Sequence, residues 1–174
     1  MLISSPQESL FLRPGQQLDA PPGAIEFHAM QEARLLAYFL EFTSEERLAR
    51  FRYAVSDDSI RRWRARLDWN WYCAVGCEDN GRLWGLAELF GAPSTGWKQP
   101  ELVLSLRDGV SDQQRLLPIR AALHAARTRG ASAVSLLWDG PDILASLLSR
   151  DCRAELDRGM AMPATPATRV ASSR

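Results

Sequence analysis

Glu101-Leu102-Val103-Leu104-Ser105-Leu106-Arg107-Asp108-Gly109 is the stretch of sequence that decides the fold of this chain. Its apolar run predicts a buried strand over 101–106. A polar loop follows, and an apolar face at helical spacing then predicts a helix over 116–129 that stops before Gly130. A second apolar run predicts a strand over 133–138. A strand–helix–strand unit of this length places its two strands parallel, with a right-handed crossover.

Further strands and helices are predicted on both sides of this unit. The pair Asn80-Gly81 between two alternating apolar patterns predicts a tight hairpin turn. Thr43 to Glu46 has the Thr-x-x-Glu pattern of a helix start, and Ser56 is expected to cap another helix. The predicted elements are strands over 24–28, 69–76, 82–90 and 153–157, helices over 31–42, 44–51, 57–67 and 142–150, and a loop over 91–100.

Length and composition predict one domain with loose ends. The chain has 174 residues, of which 46% are hydrophobic, so it can bury an ordinary core. Segments 1–22 and 161–174 are rich in proline and polar residues, and both are expected to be flexible tails. The folded domain is therefore predicted over 23–160.

The charge balance excludes some classes of partner. Lys plus Arg and Asp plus Glu both number 21, so no overall field draws the protein to nucleic acid or to an anionic membrane. No apolar run approaches the ~20 residues that cross a bilayer, and the first residues lack a secretion pattern. These features predict a cytoplasmic protein that binds neither nucleic acid nor membrane.

The cysteines do not predict a disulfide or a metal site. The chain contains 3 cysteines, an odd number in a chain with a good core. Cys73 and Cys77 fall within one predicted strand, where four residues span about 13 Å, too far for one ion or one disulfide. We expect both to be buried small hydrophobic residues and predict no metal.

Two segments resemble the GCN5-related N-acetyltransferase (GNAT) superfamily. Residues 43–51 are similar to a Ser-x-Glu-x-x-x-x-Arg-Phe segment of bacterial acetyltransferases related to the protein-lysine acetylating branch. Residues 101–108 are close to the Glu-Leu-Ala-Val-Val-Val-Arg-Asp strand of that branch. The resemblance extends from about Ile25 to Asp157. It implies an α/β (α+β) fold with a mixed, mostly antiparallel central sheet, one splayed parallel pair and helices on both faces.

The resemblance also implies an activity and its residues. It implies an acyl-CoA-dependent N-acyltransferase, in which an amine of a small molecule or a protein attacks acetyl-CoA directly. Glu101 matches the glutamate that deprotonates the amine in that branch, although a polar residue at a strand start is the plainer reading of it. A bulge at the end of this strand would offer the N–H of Leu106 or Arg107 to the thioester oxygen and the pantetheine arm.

The loop after this strand departs from the pattern of the superfamily. There a Gln/Arg-x-x-Gly-x-Gly/Ala loop holds the pyrophosphate, whereas residues 111–118 contain no glycine. Gln114 and Leu116 occupy the two glycine positions within one residue, Arg115 could pair with phosphate, and Pro118 is expected in the first turn of the helix. The degenerate cofactor loop makes acetyl-CoA binding weak or absent. The alternative is a catalytically inactive relative that serves as a protein-binding or ligand-sensing module.

Four other features invite a functional interpretation. Glu88 could be a second carboxylate of the site, but a solvated strand face is favoured. The arginines between Arg61 and Arg66 form a basic patch that is expected to be the wet side of a helix. Trp97, in the predicted loop, is the aromatic residue best suited to a binding surface. His124 is expected to be exposed and inert.

Overall fold

The structure of the protein is a computed structural model that describes residues 8–11, 20–21 and 23–136. The predicted helix over 142–150, the predicted strand over 153–157 and Cys152 lie outside these residues. In chain order, the elements are β1 (Glu8–Phe11), β2 (Ala24–Phe27), a 3-10 turn (Ala29–Gln31), α1 (Glu32–Leu40), α2 (Ser44–Phe51), α3 (Asp57–Arg64), β3 (Tyr72–Asp79), β4 (Arg82–Ala92), β5 (Gly96–Leu106), α4 (Asp112–Thr128) and β6 (Ala133–Leu136).

One mixed sheet contains all the described strands. Its order is β1-β6-β5-β4-β3-β2, and every neighbouring pair is antiparallel except β5 with β6. Glu101 pairs with Ser135 and Leu102 with Leu136 in this parallel pair. The predicted strand–helix–strand unit is therefore confirmed, with α4 as the crossover.

Helices cover both faces of the sheet, as the sequence predicts. The first apolar core lies between α4 and one sheet face, and the second lies between the other face and the helices α1 to α3. Alternation along each strand separates the two cores, since neighbouring side chains point to opposite faces. The α4 core includes Cys73, Val75, Ala87, Leu89, Leu102, Ala122 and Val134, and the α1–α3 core includes Phe27, Leu35, Phe39, Ile60, Tyr72, Ala74 and Leu86.

Helix starts and the hairpin turn follow their local sequence signals. Thr43 caps α2 in a reciprocal box with Glu46, and the side chain of Ser56 accepts from the N–H of Ser59 at the start of α3. Asn80 and Gly81 join β3 to β4 with positive φ values of 49° and 77°. This pair of left-handed residues suits the twist of a two-residue hairpin, so the predicted turn is confirmed.

Two predictions about loose segments differ from the structure. Residues 8–11, within the predicted N-terminal tail, form β1 and pair with β6. The predicted loop over 91–100 is mostly strand, because β4 runs to Ala92 and β5 starts at Gly96. A register shift between Phe90 and Ala92 accommodates Gly91, whose N–H donates to the carbonyl of Trp71. Glu101 is therefore an interior residue of β5 and not its first residue.

The fourth helix begins earlier than the sequence predicts. It starts at Asp112, after the cap residue Ser111, so Pro118 lies in its interior and not in its first turn. A proline there has no N–H to donate to the carbonyl of Gln114, four residues earlier. The prediction failed because proline is commonest at the first helical position.

Both described cysteines are buried free thiols. Burial raises the pKa of Cys73 to about 12 and that of Cys77 to about 11. Thiols with such pKa values are poor nucleophiles at neutral pH, as their predicted role in the core requires. Over the described ranges, no helix has the length and apolar character that crossing a bilayer demands.

Candidate active site

A polar strip on the α1–α3 face of the sheet contains the candidate base. It consists of Gln99 and Glu101 on β5 and Ser135 on β6, which point to one face because they alternate with core residues. The amide Nε2 of Gln99 donates to Oγ of Ser135 at 2.9 Å. Glu101 is half-buried, and its carboxylate has no hydrogen bond or ion pair with any residue that the structure describes. A half-buried carboxylate without a partner is able to accept a proton from a bound amine.

The backbone at the end of β5, five to six residues after Glu101, distinguishes the two predicted oxyanion donors. The N–H of Arg107 donates to the carbonyl of Trp84 at 3.0 Å, so it is already used by β4. Since N–H groups alternate sides along an antiparallel ladder, the N–H of Leu106 points away from β4, toward the side where β6 lies. Leu106 is the better placed of the two candidates.

The end of β5 lacks the bulge that the resemblance implies. Its pairing with β4 is in regular register from Glu101 to Leu106, and the bond from Arg107 continues it. Within the described strands, the register shifts lie between Cys77 and Glu78 and between Phe90 and Ala92. The direction of the Leu106 N–H, away from β4, therefore follows from regular strand alternation and not from a bulge.

The N-terminus of α4 is capped by side chains of its own first turn. The hydroxyl of Ser111 accepts from the N–H of Gln114 at 3.3 Å and donates to its Oε1 at 2.8 Å. Oε1 of Gln114 also accepts from the N–H of Ser111 at 3.0 Å, and Nε of Arg115 donates to the carbonyl of Val110 at 3.1 Å. Because side chains already accept from part of the free N–H groups at this helix end, the start of α4 is less suited to holding a phosphate than the start of an uncapped helix.

Leu116 does not point toward a phosphate. Its side chain is 6% exposed and packs in the α4 core, on the sheet side of the helix. Although Leu116 falls where the superfamily has a glycine beside the phosphate, its side chain does not reach that place, because residues 112–118 are helical and helical spacing turns Leu116 inward. Pro118 is buried nearby, close to where a side chain on Gly85 would lie.

The candidate cofactor loop is attached to α2 by a buried glutamate. Glu46 is 8% exposed, and its Oε2 accepts from the N–H of Thr43 at 2.8 Å. Its Oε1 accepts from the N–H of Asp108 at 3.2 Å, and its Oε2 lies 3.5 Å from Nη1 of Arg107. The guanidinium of Arg107 stacks over Tyr38 and Phe42 and lies 3.2 Å from Oε2 of Glu41. Glu46 thus holds the turn after β5 against the helical layer.

Replacing Glu46 with alanine should lower the free energy of unfolding by about 1–3 kcal/mol, because the N–H groups of Thr43 and Asp108 lose the acceptor of part-buried hydrogen bonds. The matched control is Glu45→Ala, which removes an exposed carboxylate from the same helical turn and should change stability by less than about 0.5 kcal/mol. Urea denaturation of both variants measures the difference. Equal losses would contradict the role of Glu46 as the attachment point.

A buried charge cluster is centred on β4, the strand next to the one that carries Glu101. It consists of Glu88 on β4, Arg50 on α2 and Tyr72 on β3, and the side chain of Glu88 is 0% exposed. Nε and Nη2 of Arg50 lie 2.8 and 2.7 Å from Oε2 of Glu88, and the phenol of Tyr72 donates to Oε1 at 2.8 Å. The favoured interpretation of Glu88 as solvated is wrong, because helices cover this strand on both faces.

The phenol of Tyr72 remains a hydrogen-bond donor in this cluster. Burial raises its pKa well above the usual range, and the neighbouring Glu88 raises it further. The protonated phenol and Arg50 together engage both oxygens of Glu88. Glu88 is consequently committed to holding α2 on the sheet and is not free to act as a second base.

One arginine of the predicted basic patch is buried. Arg61, Arg62 and Arg66 are exposed as expected, but Arg64 is 2% exposed. Its guanidinium carbon lies 5.7, 5.4 and 5.0 Å from the ring centres of Trp63, Trp69 and Tyr72. We call this arrangement the Arg64 cage. The sequence contained a signal for it, since Arg64 is spaced four residues after the buried Ile60.

Trp97 and His124 are less available than the sequence predicts. Nε1 of Trp97 donates to the carbonyl of Asn70 at 3.2 Å, and Arg129 stacks 5.3 Å from its ring centre. Trp97 also packs against the α4 core, so only part of it could contact a partner. His124 is half-buried. Within the described segments, no group of three or more His, Cys, Asp or Glu side chains is arranged to hold a metal ion.

Comparison with known proteins identifies the fold. No protein-family model and no curated protein matches this chain. Among solved structures, the GNAT domain of S. lividans PAT is 18% identical with a TM-score of 0.45, over 72% of this chain and 74% of that one. A protein from Novosphingobium aromaticivorans that is described as an acetyltransferase of the GNAT family is 15% identical with a TM-score of 0.52.

The second likeness covers 84% of this chain and 56% of that protein. Together with the strand order, it shows that this chain has the GNAT fold. The chain spans little more than half the length of that neighbour. Its fold class is thereby established, and its chemistry must be argued from its own residues.

Proposed function

We propose that this protein is an acyl-CoA-dependent N-acyltransferase in which Glu101 is the general base. The observation that carries the proposal is the half-buried carboxylate of Glu101, which has no partner among the described residues, on the strand that forms the parallel pair of a GNAT fold. An amine of a small molecule or a protein would be the acceptor. Glu101 would take a proton from the amine, through water or directly, as the amine attacks the thioester carbonyl of acetyl-CoA.

The N–H of Leu106 supports the same reaction. It points to the β6 side of β5, where it would donate to the thioester oxygen as negative charge develops. The amine forms a bond to the acyl carbon, the carbon–sulfur bond breaks, and the thiolate leaves with the electron pair. No covalent enzyme intermediate is required, and the buried cysteines are unsuited to forming one.

The site suits one end of acetyl-CoA better than the other. The N–H of Leu106 suits the pantetheine arm and thioester, whereas the capped start of α4 offers little to the pyrophosphate. Gln114 would face that end of the donor, and Arg115 would be its cationic contact. We therefore propose that acetyl-CoA binds weakly and mainly through its acyl-pantetheine end.

Binding mainly through the acyl-pantetheine end can be tested directly with a donor that lacks the nucleotide. Acetyl-CoA should raise the melting temperature, because it binds the native state, and S-acetyl pantetheine should bind within about tenfold of it. Differential scanning fluorimetry over a range of each compound gives both affinities. Binding of acetyl-CoA more than about a hundredfold tighter than the truncated donor would show that the α4 start holds the pyrophosphate after all.

The capped α4 start favours a second candidate, a catalytically inactive binding or sensing module. The capping of the α4 start by Ser111 and Gln114 reduces its fit to a nucleotide. If neither donor changes the melting temperature and no amine is acylated, this second function replaces the first. The two candidates therefore differ in one inexpensive measurement.

A further inference from the structure

We propose that the Arg64 cage binds the carboxylate of a small organic acid. All three guanidinium nitrogens of Arg64 are buried, and none has a hydrogen-bond partner among the residues that the structure describes. A buried guanidinium without an acceptor is costly, because neither water nor protein replaces its lost hydration. An acidic ligand would supply the missing acceptor. The inference does not use Glu101 and does not depend on acyl transfer.

The charges around Arg64 indicate a ligand with one negative charge. Glu88 is fully occupied by Arg50 and Tyr72, so it does not neutralise Arg64. Arg50, Arg64 and Glu88 together carry one excess positive charge, which one monoanion would balance. A phosphate dianion would leave excess negative charge near Glu88.

The planar guanidinium of Arg64 and the aromatic rings around it indicate that the ligand is a carboxylate with an apolar body. A guanidinium presents N–H groups in a planar fork that matches the two oxygens of a carboxylate. The rings of Trp63, Trp69 and Tyr72 surround this fork and favour apolar atoms. Trp63 and Trp69 are half-buried, so part of each of these two residues is accessible to solvent.

The placement of the cage suggests why the arginine is buried at all. Ile60 and Arg64 lie on the inward side of α3, and a residue there normally contributes to the core. Aromatic rings at 5.0 to 5.7 Å stabilise the cation through their faces but leave its N–H groups unsatisfied. A role in binding accounts for both the buried charge and its missing acceptors.

Titration with simple anions tests the proposal. Sodium hexanoate, acetate, phosphate and chloride are compared at equal ionic strength by melting temperature and tryptophan emission. At ten times its dissociation constant, hexanoate should raise the melting temperature of the parent by about 3 °C and change the emission of Trp63 and Trp69. Acetate should bind more weakly, and chloride should have no such effect.

Two variants on one helix isolate the role of Arg64. Arg64→Met should weaken hexanoate binding at least about tenfold, whereas Arg62→Met, which removes an exposed arginine from α3, should leave it unchanged. Arg64→Lys, which keeps the charge but loses the planar fork, serves if the methionine variant does not fold, and it should also weaken binding.

Several results would overturn the proposal. These are no carboxylate effect beyond that of chloride in the parent, equal effects in the parent and Arg64→Met, and a loss of hexanoate binding in Arg62→Met. A larger, Arg64-dependent stabilisation by phosphate than by hexanoate would overturn the carboxylate assignment.

Discussion

Replacing Glu101 with glutamine should lower the rate of acyl transfer by about 10²-fold or more. Glutamine keeps the size of the side chain and cannot take a proton, so only the acid–base step is lost. Affinity for acetyl-CoA should stay within about twofold, because the proposed donor contact is the backbone N–H of Leu106. A steady-state assay with a panel of amines measures the rate, and fluorimetry measures donor binding.

Glu45→Gln is the matched control for this variant. It makes the same chemical change at an exposed position on α2, away from the parallel pair, and should leave the rate unchanged. A Glu101→Gln protein as active as the parent would remove Glu101 from the mechanism. An equal loss in both variants would point to a general charge effect.

Replacing Glu88 with leucine should lower the free energy of unfolding by about 3–5 kcal/mol. The side chain of Arg50 is only 10% exposed and would be left without its carboxylate, while the phenol of Tyr72 would lose its acceptor. Removing one partner of a buried pair is costly because the remaining charge stays out of water. Urea denaturation measures the loss, and the dependence of the free energy of unfolding on urea concentration should be the same in the variant and the parent.

The compensating variant separates this cause from lost packing. Combining Glu88→Leu with Arg50→Met and Tyr72→Phe replaces all three polar groups by apolar ones of similar shape, and most of the stability should return. If the single Glu88→Leu change costs less than about 1 kcal/mol, water reaches the cluster and its burial is not maintained in solution.

Local signals in the sequence predicted the helices and the hairpin well. The box at Thr43 and Glu46, the cap at Ser56 and the pair Asn80-Gly81 each satisfy specific backbone groups, so they act wherever they occur. The apolar runs around α4 predicted the parallel pair, because only a crossover connects such strands. The fold class could therefore be predicted before any comparison.

The extension of β5 could not be predicted from composition. Gly91, Gly96 and Pro100 are typical of a loop, yet they lie within long strands. Pro100 is tolerated because the nitrogen of an even-numbered residue of β5 faces away from β4, so no bond to β4 is lost. That fact depends on the register of the sheet, which sequence patterns do not contain.

The candidate site was predicted only where residues 101–108 resemble the strand of the GNAT superfamily. Glu101 and Leu106 could be proposed from the strand that carries them. The burial of Glu88 and Arg64 could not, because a charged residue is normally expected at the surface and its partners come from distant elements. Arg50 and Glu88 meet only when α2 packs on β4.

The pairing of β1 with β6 has a consequence for how this chain folds. Glu8 lies opposite Leu136, so the first strand of the sequence completes the sheet only after the last described strand is in place. The meander from β3 to β5 involves neighbouring segments and can form early, whereas a contact of such high sequence separation closes late and slowly. During synthesis, β1 can therefore pair only after nearly the whole domain has been made. Until β1 pairs with it, β6 has an unpaired edge that other chains could bind.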